Sequence, residues 1–287
     1  MSFFRNIGIT LDMIKWEHSI FALPFALTGA MLAAHGVPRV STILWIVICM
    51  VTARSAAMAF NRWADADLDA TNPRTAGRAI PAGLLDRKFV AIFTLAMILV
   101  FLLACSQLNR LTLLLSPIAL FFVLFYSFTK RFTRWSHLFL GLALGIAPAA
   151  AWIGVTGAVD PRILILTAAV LFWVAGFDVL YACQDREHDV INGLNSIPQS
   201  WGLVGAFWVA RTMHLVMIGL LIWLIQVFSL GWVAKAGLVV VALLLIYEHL
   251  IISPKDLRRM NAAFFTLNGI ISVIFFLSVA ADLLLRN

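Results

Sequence analysis

Apolar runs of roughly 20 residues, the length a helix needs to cross a bilayer, recur along this chain and are separated by short polar stretches. Nine such runs are evident, at 18–35, 41–61, 88–106, 111–128, 137–157, 163–183, 205–227, 231–252 and 263–284. Lipid cannot satisfy the open edge of a sheet, so the pattern predicts nine helices and an all-α, polytopic membrane protein. Pro24, Pro117 and Pro148 fall inside runs, and each is expected to mark a kink whose freed carbonyls are covered by neighbouring helices.

The polar stretches give an orientation. Arg5, Lys15, Arg62, Arg74, Arg78, Arg87, Lys88, Lys130, Arg131, Arg134, Arg186, Lys255, Arg258 and Arg259 flank one side of the runs, and Arg39, Arg110, Arg162, Lys235 and Arg286 the other. Cations gather on cytoplasmic loops, so the N-terminus is expected in the cytoplasm and the C-terminus outside. The same bias accounts for the net charge of +7 without any nucleic-acid partner. With 62% hydrophobic and 12% charged residues, the chain fits no soluble class. No Pro/Ser-rich or charged linker divides it, so residues 1–287 are read as one integral-membrane domain. Cys49, Cys105 and Cys183 are scattered and form neither a disulfide framework nor a metal spacing. The late first run argues against a cleavable signal.

Against this apolar background the carboxylates are concentrated. Six of the 14 Asp and Glu lie in two stretches, Asn61-Arg-Trp-Ala-Asp65-Ala-Asp67-Leu-Asp69 and Tyr181-Ala-Cys-Gln-Asp185-Arg-Glu187-His188-Asp189. Each follows an even-numbered run, on the expected cytoplasmic side. Carboxylates beside hydrocarbon are costly and read as functional by default. Helical spacing puts Arg54, Asn61, Asp65 and Asp69 on one face, and Asp178, Tyr181, Asp185 and Asp189 on another. Two such faces meeting would repel unless a cation lay between them. Magnesium, which bridges one or two carboxylates to substrate phosphates, meets that need. Asp65, Asp69, Asp185 and Asp189 are therefore the candidate metal ligands. Asp65 and Asp69 recur 120 residues later as Asp185 and Asp189. Runs one to four thus read as a diverged copy of five to eight, with a central cavity between the halves.

Basic residues complete the candidate site. Arg74 and Arg78 follow the first stretch, and Lys130 lies in Tyr126-Ser-Phe-Thr-Lys130-Arg131. Arginine suits a diphosphate through its planar fork, and lysine as a point charge. Arg54 lies two turns inside Asn61, too deep for snorkelling, and is read as the partner of a substrate carboxylate or of Asp178. Asp178, two turns inside Asp185, is read as a contact for an acceptor hydroxyl or for Arg54. Glu17 and His18 lack zinc spacing. Glu248 and His249, near the end of the eighth run, are read as interfacial.

These residues carry a family resemblance. Asn61-xxx-Asp65-xxx-Asp69 with Arg74-Thr75-xx-Arg78 resembles the first signature of the UbiA superfamily of intramembrane prenyltransferases. Tyr181-xxx-Asp185-xxx-Asp189 resembles its second, and Tyr126-xxx-Lys130-Arg131 its intervening segment. The likeness extends over nearly the whole chain. Gly176-Phe-Asp178-Val-Leu-Tyr181 and Gly193-Leu-Asn195-Ser196-Ile-Pro198 are similar to a bacterial branch described as 4-hydroxybenzoate polyprenyltransferase-like. The resemblance implies nine helices around a central cavity, in the cell inner membrane, with the active site toward the cytoplasm. It also implies magnesium-dependent transfer of a polyprenyl group from polyprenyl diphosphate to an aromatic acid acceptor, first of all 4-hydroxybenzoate in ubiquinone biosynthesis. Asn61, Tyr126 and Tyr181 then join the substrate-binding residues, and Lys15 lies near a family cation that reaches the diphosphate. The same chemistry on 1,4-dihydroxy-6-naphthoate, in the futalosine route to menaquinone, is the alternative acceptor reading. Two positions depart from the family pattern. Arg62 stands where an additional Asp is common, removing one metal ligand, and Asn195 stands where a basic residue or His is common. A cation-coupled transporter is the competing class, but it would place its carboxylates near the midplane rather than at helix ends. There is no triad-like pattern, and ionisation of an allylic diphosphate requires none.

Overall fold

The computed structural model of the protein describes residues 3–14 and 22–286. Among these residues the chain is helical, with one isolated bridge between Ser253 and Asp256 in place of any strand. Helix α1 (Phe3–Ile14) packs on α3 and precedes the first anticipated run. Helix α2 (Leu23–Ala34) corresponds to that run; the residues that open the run lie outside the described ones, as do Lys15, Glu17 and His18. Then follow α3 (Val40–Ala64), α4 (Ala66–Thr71), α5 (Arg87–Leu108), α6 (Arg110–Thr129), α7 (Ser136–Thr156), α8 (Ile163–Ala182), α9 (Arg186–Ile191), α10 (Ile197–Val227), α11 (Trp232–Ile251) and, after a π-helical turn at Ala262–Leu267, α12 (Asn268–Arg286). Eight of the nine anticipated runs are matched, among the described residues, by segments long and apolar enough to span a bilayer; α2, with 12 described residues, is the shorter one.

Packing explains the arrangement. Helix α8 is apolar on nearly every side and carries twelve buried residues between Ile163 and Leu180, as expected of a helix largely surrounded by others. It lies against α7 and α10. Close approach to α7 is set by Gly141 and Gly145: a Cβ on the first would stand 2.3 Å from the Leu171 carbonyl oxygen, and on the second 2.8 Å from that of Thr167. Small residues four apart are a common means by which membrane helices come together. Leu99, Leu103, Leu114 and Leu243 point outward and exposed, an apolar perimeter that suits lipid.

One local expectation is corrected. Pro24 stands in the first turn of α2, where its missing N–H costs nothing, rather than at a kink. Pro117 and Pro148 do lie inside α6 and α7, but the sharp break in a long helix comes at Gly202 of α10 (φ 70°, ψ 177°), a backbone conformation that favours glycine. That break joins an N-terminal turn, begun at Ile197, to the membrane run anticipated at 205–227. Glu248, near the end of α11, is 1% exposed, and the Asn268 side chain donates to its Oε1 at 3.3 Å. A donor from α12 satisfies one of its oxygens in the interior.

The internal repeat is visible in the backbone. Asp65 (φ −99°, ψ 3°) ends α3, and Asp185 (φ −101°, ψ 3°) ends the turn that follows α8. A six-residue helix, α4 or α9, follows each break.

Candidate active site

Helices α3, α6, α7 and α8 each turn one face toward a shared cavity of about 820 Å³. Its deep wall is apolar and built of small or flexible groups such as Cys49, Ala53, Leu120, Leu144 and Ala147. Its mouth is polar. Of the anticipated site residues, Arg54, Asn61, Asp65, Asp69, Arg74, Arg78, Tyr126, Lys130, Asp178, Tyr181, Asp185 and Asp189 all line it. Lys15 lies outside the described residues. The helical spacing produces this: along α8, Val174, Phe177, Asp178 and Tyr181 fall on one side, and Asp185 continues the stripe.

At the mouth the carboxylates are held by cations. Asp65, 2% exposed, takes Lys130 Nζ at 2.5 Å on Oδ2 and Arg131 Nη2 at 3.0 Å on Oδ1, and the Asn61 amide donates to Oδ2 at 3.1 Å. Arg131 also donates to the carbonyls of Ser127 and Ala64, so it fastens the end of α6 to the end of α3. Asp69, 5% exposed, takes Arg78 Nη1 at 2.6 Å. Asp185 takes Arg74 at two points, Nε at 2.8 Å and Nη2 at 2.5 Å, and the Asn72 amide at 3.0 Å. Partial burial opposes the Arg74 charge, but the hydrogen bond and attraction to Asp185 outweigh it, and the Arg74 pKa is raised. Arg74 Nη1 donates in addition to the Tyr181 hydroxyl at 3.1 Å. Asp189 takes the Ser196 hydroxyl at 2.8 Å. Thr71 and His188 are 3.1 Å apart, a second link between the two acidic segments.

Below the mouth, Asp178 makes its hydrogen bond with His137, whose Nδ1 is 2.7 Å from Oδ2. Sequence reasoning had offered Arg54 or an acceptor hydroxyl as its partner. Arg54 and Tyr126 also line the cavity, seven and four residues before Asn61 and Lys130 respectively. Phe264, from the π-helical turn, packs on Tyr181 with ring centroids 4.2 Å apart. Asn195 does not reach toward the carboxylates; its backbone N–H donates to the Lys130 carbonyl at 2.7 Å, tying the second acidic loop to the end of α6.

The sequence reading did not single out Asn72, His137 or Ser196 and gave Arg131 no role of its own. Asn72 had one local signal: it precedes a proline, and its side chain accepts from the Arg74 N–H in a turn. His137 had none, because its partner comes from 41 residues away.

The donor set suits a hard divalent cation. Asp69 Oδ2 is buried with no hydrogen-bond partner, and the carboxylates at the mouth offer only oxygen. Among the described residues no three His, Cys, Asp or Glu side chains form a ligand cluster by themselves. A cation here would take its remaining ligands from phosphate and water, which is the habit of magnesium.

Comparison with known proteins bears on the same residues. The UbiA prenyltransferase family model matches residues 22–277. A 4-hydroxybenzoate octaprenyltransferase of Nitrosospira multiformis is 32% identical over 261 residues, covering 91% of this chain and 89% of that protein. The apo structure of a UbiA homolog from Aeropyrum pernix superposes with a TM-score of 0.85 at 31% identity, over 93% of this chain and 98% of that one. A UbiA homolog from Archaeoglobus fulgidus bound to GPP and Mg2+ shares the fold, with a TM-score of 0.71 at 18% identity, over 96% of this chain and 99% of that one.

Proposed function

The chain belongs to the UbiA prenyltransferase family, and on that premise we propose that it transfers a polyprenyl group from polyprenyl diphosphate to 4-hydroxybenzoate, with magnesium, in ubiquinone biosynthesis. It is a multi-pass membrane protein. The cation bias along the sequence supports an inner-membrane orientation with the mouth of the cavity toward the cytoplasm. One observation carries the reading. Two acidic segments and their Arg and Lys partners meet at one mouth, directly above an apolar cavity.

Asp65, Asp69, Asp185 and Asp189 would hold the metal. Magnesium bound there with the diphosphate supplies Lewis-acid neutralisation of the leaving group. Arg74, Arg78 and Lys130 exchange their carboxylate partners in part for phosphate oxygens, to which arginine binds bidentately. The isoprenoid tail lies in the apolar wall, where its burial is favourable. Tyr181, Phe177 and Phe264 line the cavity and would offer aromatic faces to the developing allylic cation, and the apolar deep wall limits its capture by water. Arg54 pairs with the acceptor carboxylate, since an unpaired charge at that depth is costly. The phenolic ring then attacks the allylic carbon.

The names of the relatives favour 4-hydroxybenzoate over 1,4-dihydroxy-6-naphthoate. Acceptor profiling of the purified protein tests this, with both acids offered in competition. Prenylated 4-hydroxybenzoate should dominate; preferential prenylation of the naphthoate would replace the acceptor assignment while leaving the reaction class.

A further inference from the structure

One polar pair on the cavity wall takes no part in the diphosphate mouth. His137, in the first turn of α7, is buried, whereas the Asp178 side chain is 23% exposed and opens to the cavity. The Ile197 backbone N–H donates to His137 Nε2 at 3.4 Å. A neutral imidazole carries one proton, so with Nε2 as acceptor the proton is on Nδ1, directed at Asp178 Oδ2 2.7 Å away. Asp65, Asp69 and Asp185 are each neutralised by Lys or Arg. Asp178 is instead held by a neutral donor. Asp178 also stands seven residues before Asp185, roughly 10 Å deeper at the helical rise, on the side where an acceptor ring would lie beneath the diphosphate.

We propose that Asp178 accepts the proton that leaves the acceptor ring, and that His137 is the positioning residue that fixes it. This rests on the aromatic prenyl transfer proposed above. The electron balance is complete without another reactant. The allylic C–O bond breaks with its electron pair leaving on diphosphate, and a ring π pair forms the new C–C bond. The ring C–H bond then breaks, its electrons restore aromaticity, and the proton passes to the Asp178 oxygen that His137 does not hold. The anchor of His137 continues into the second acidic loop. Ile197 follows Ser196, whose hydroxyl donates to Asp189 and caps α10 by accepting from the Gln199 N–H. The orientation of the proton acceptor is thereby tied to the segment that binds the leaving group.

The test uses full-length protein in detergent with magnesium, geranyl diphosphate and 4-hydroxybenzoate carrying hydrogen or deuterium on the ring carbons beside the hydroxyl. With ionisation as the slow step of the unaltered protein, a premise of the proposal, the two acceptors should react equally fast. Asp178→Asn and His137→Leu should each lower kcat, Asp178→Asn by about 10²-fold. Both should leave KM for geranyl diphosphate unchanged and make the deuterated acceptor clearly slower. His137→Asn, which keeps a donor near the place of Nδ1, should restore much of kcat and reduce the isotope effect. Asp178→Asn is isosteric, so it remains informative if His137→Leu does not fold. Normal kcat in Asp178→Asn, or a lowered kcat with no isotope effect, would overturn the inference. Those results would leave the prenyl-transfer assignment standing. Failure of the unaltered protein to prenylate the ring would instead remove that assignment.

Discussion

Arg74, in the loop after the first acidic motif, grips Asp185 of the second through two parallel hydrogen bonds, Nε to Oδ1 at 2.8 Å and Nη2 to Oδ2 at 2.5 Å. The two residues are 111 positions apart. This pairing brings the repeated halves together at the mouth, and it also occupies a carboxylate that the proposed metal would need. Arg74 must therefore share or release Asp185 when substrate binds. Replacing it by Lys keeps the charge and removes the fork. Arg74→Lys should raise the apparent KM for prenyl diphosphate several-fold in steady-state assays while sparing KM for the acceptor. An unchanged diphosphate KM would remove Arg74 from the phosphate site.

The carboxylates of the mouth should be needed individually. Asp69→Ala and Asp185→Ala should each reduce turnover by about 10²-fold or more, the scale seen when one electrostatic stabiliser of a transition state is deleted. Titrating magnesium at fixed substrate checks this. Near-normal turnover of both variants at limiting magnesium would show the ligand assignment to be wrong.

Asp65 gives a stability prediction. It is 2% exposed, while its partners Lys130 and Arg131 have side chains 32% and 33% exposed. Loss of both cations strands a buried carboxylate, but loss of the carboxylate returns two half-exposed cations to water. The Lys130→Met, Arg131→Met double variant should lose roughly 3–5 kcal/mol, the range for breaking a buried pair from one side. Asp65→Asn should lose less. Thermal unfolding in detergent measures both, and the reverse ranking would contradict the burial argument.

Arg54 lies deeper than the mouth and should act on the acceptor. Arg54→Leu should raise the acceptor KM or abolish transfer while binding of prenyl diphosphate persists. Kinetics with the carboxylate acceptor that match the unaltered protein would take Arg54 out of the site.

Orientation is open to labelling. With Cys49, Cys105 and Cys183 replaced, single cysteines at the exposed positions Gly77 and Asn192 should react with an impermeant reagent from the cytoplasmic side, and one at Lys235 from the other. Reaction of Gly77→Cys and Asn192→Cys from opposite faces would break the shared mouth.

The four metal-ligand candidates were legible because carboxylates are rare in this chain and fall four residues apart at the ends of apolar runs. Helical spacing then located Asn61, Asp178 and Tyr181 on the same faces. The partners that hold them were not legible. Asn72 meets Asp185 across 113 residues, and His137 meets Asp178 across 41; neither contact leaves a mark in local spacing. The partner of Glu248 was hidden for the same reason, since its position in α11 was visible but the Asn268 donor from α12 was not. Hydropathy located the membrane runs well. It missed α1 and the early start of α10, where the chain is too short or too polar to resemble a span.

The central claim is that both acidic segments form one site whose turnover makes a carbon–carbon bond on an aromatic acid. It is tested most directly by counting products. Purified protein is given magnesium, polyprenyl diphosphate and 4-hydroxybenzoate, and released diphosphate and prenylated acid are quantified together. The two should appear in equal amounts, and both should vanish on chelation of magnesium and in Asp185→Asn. Diphosphate release without prenylated acid, or product formation that survives both chelation and Asp185→Asn, would contradict the claim.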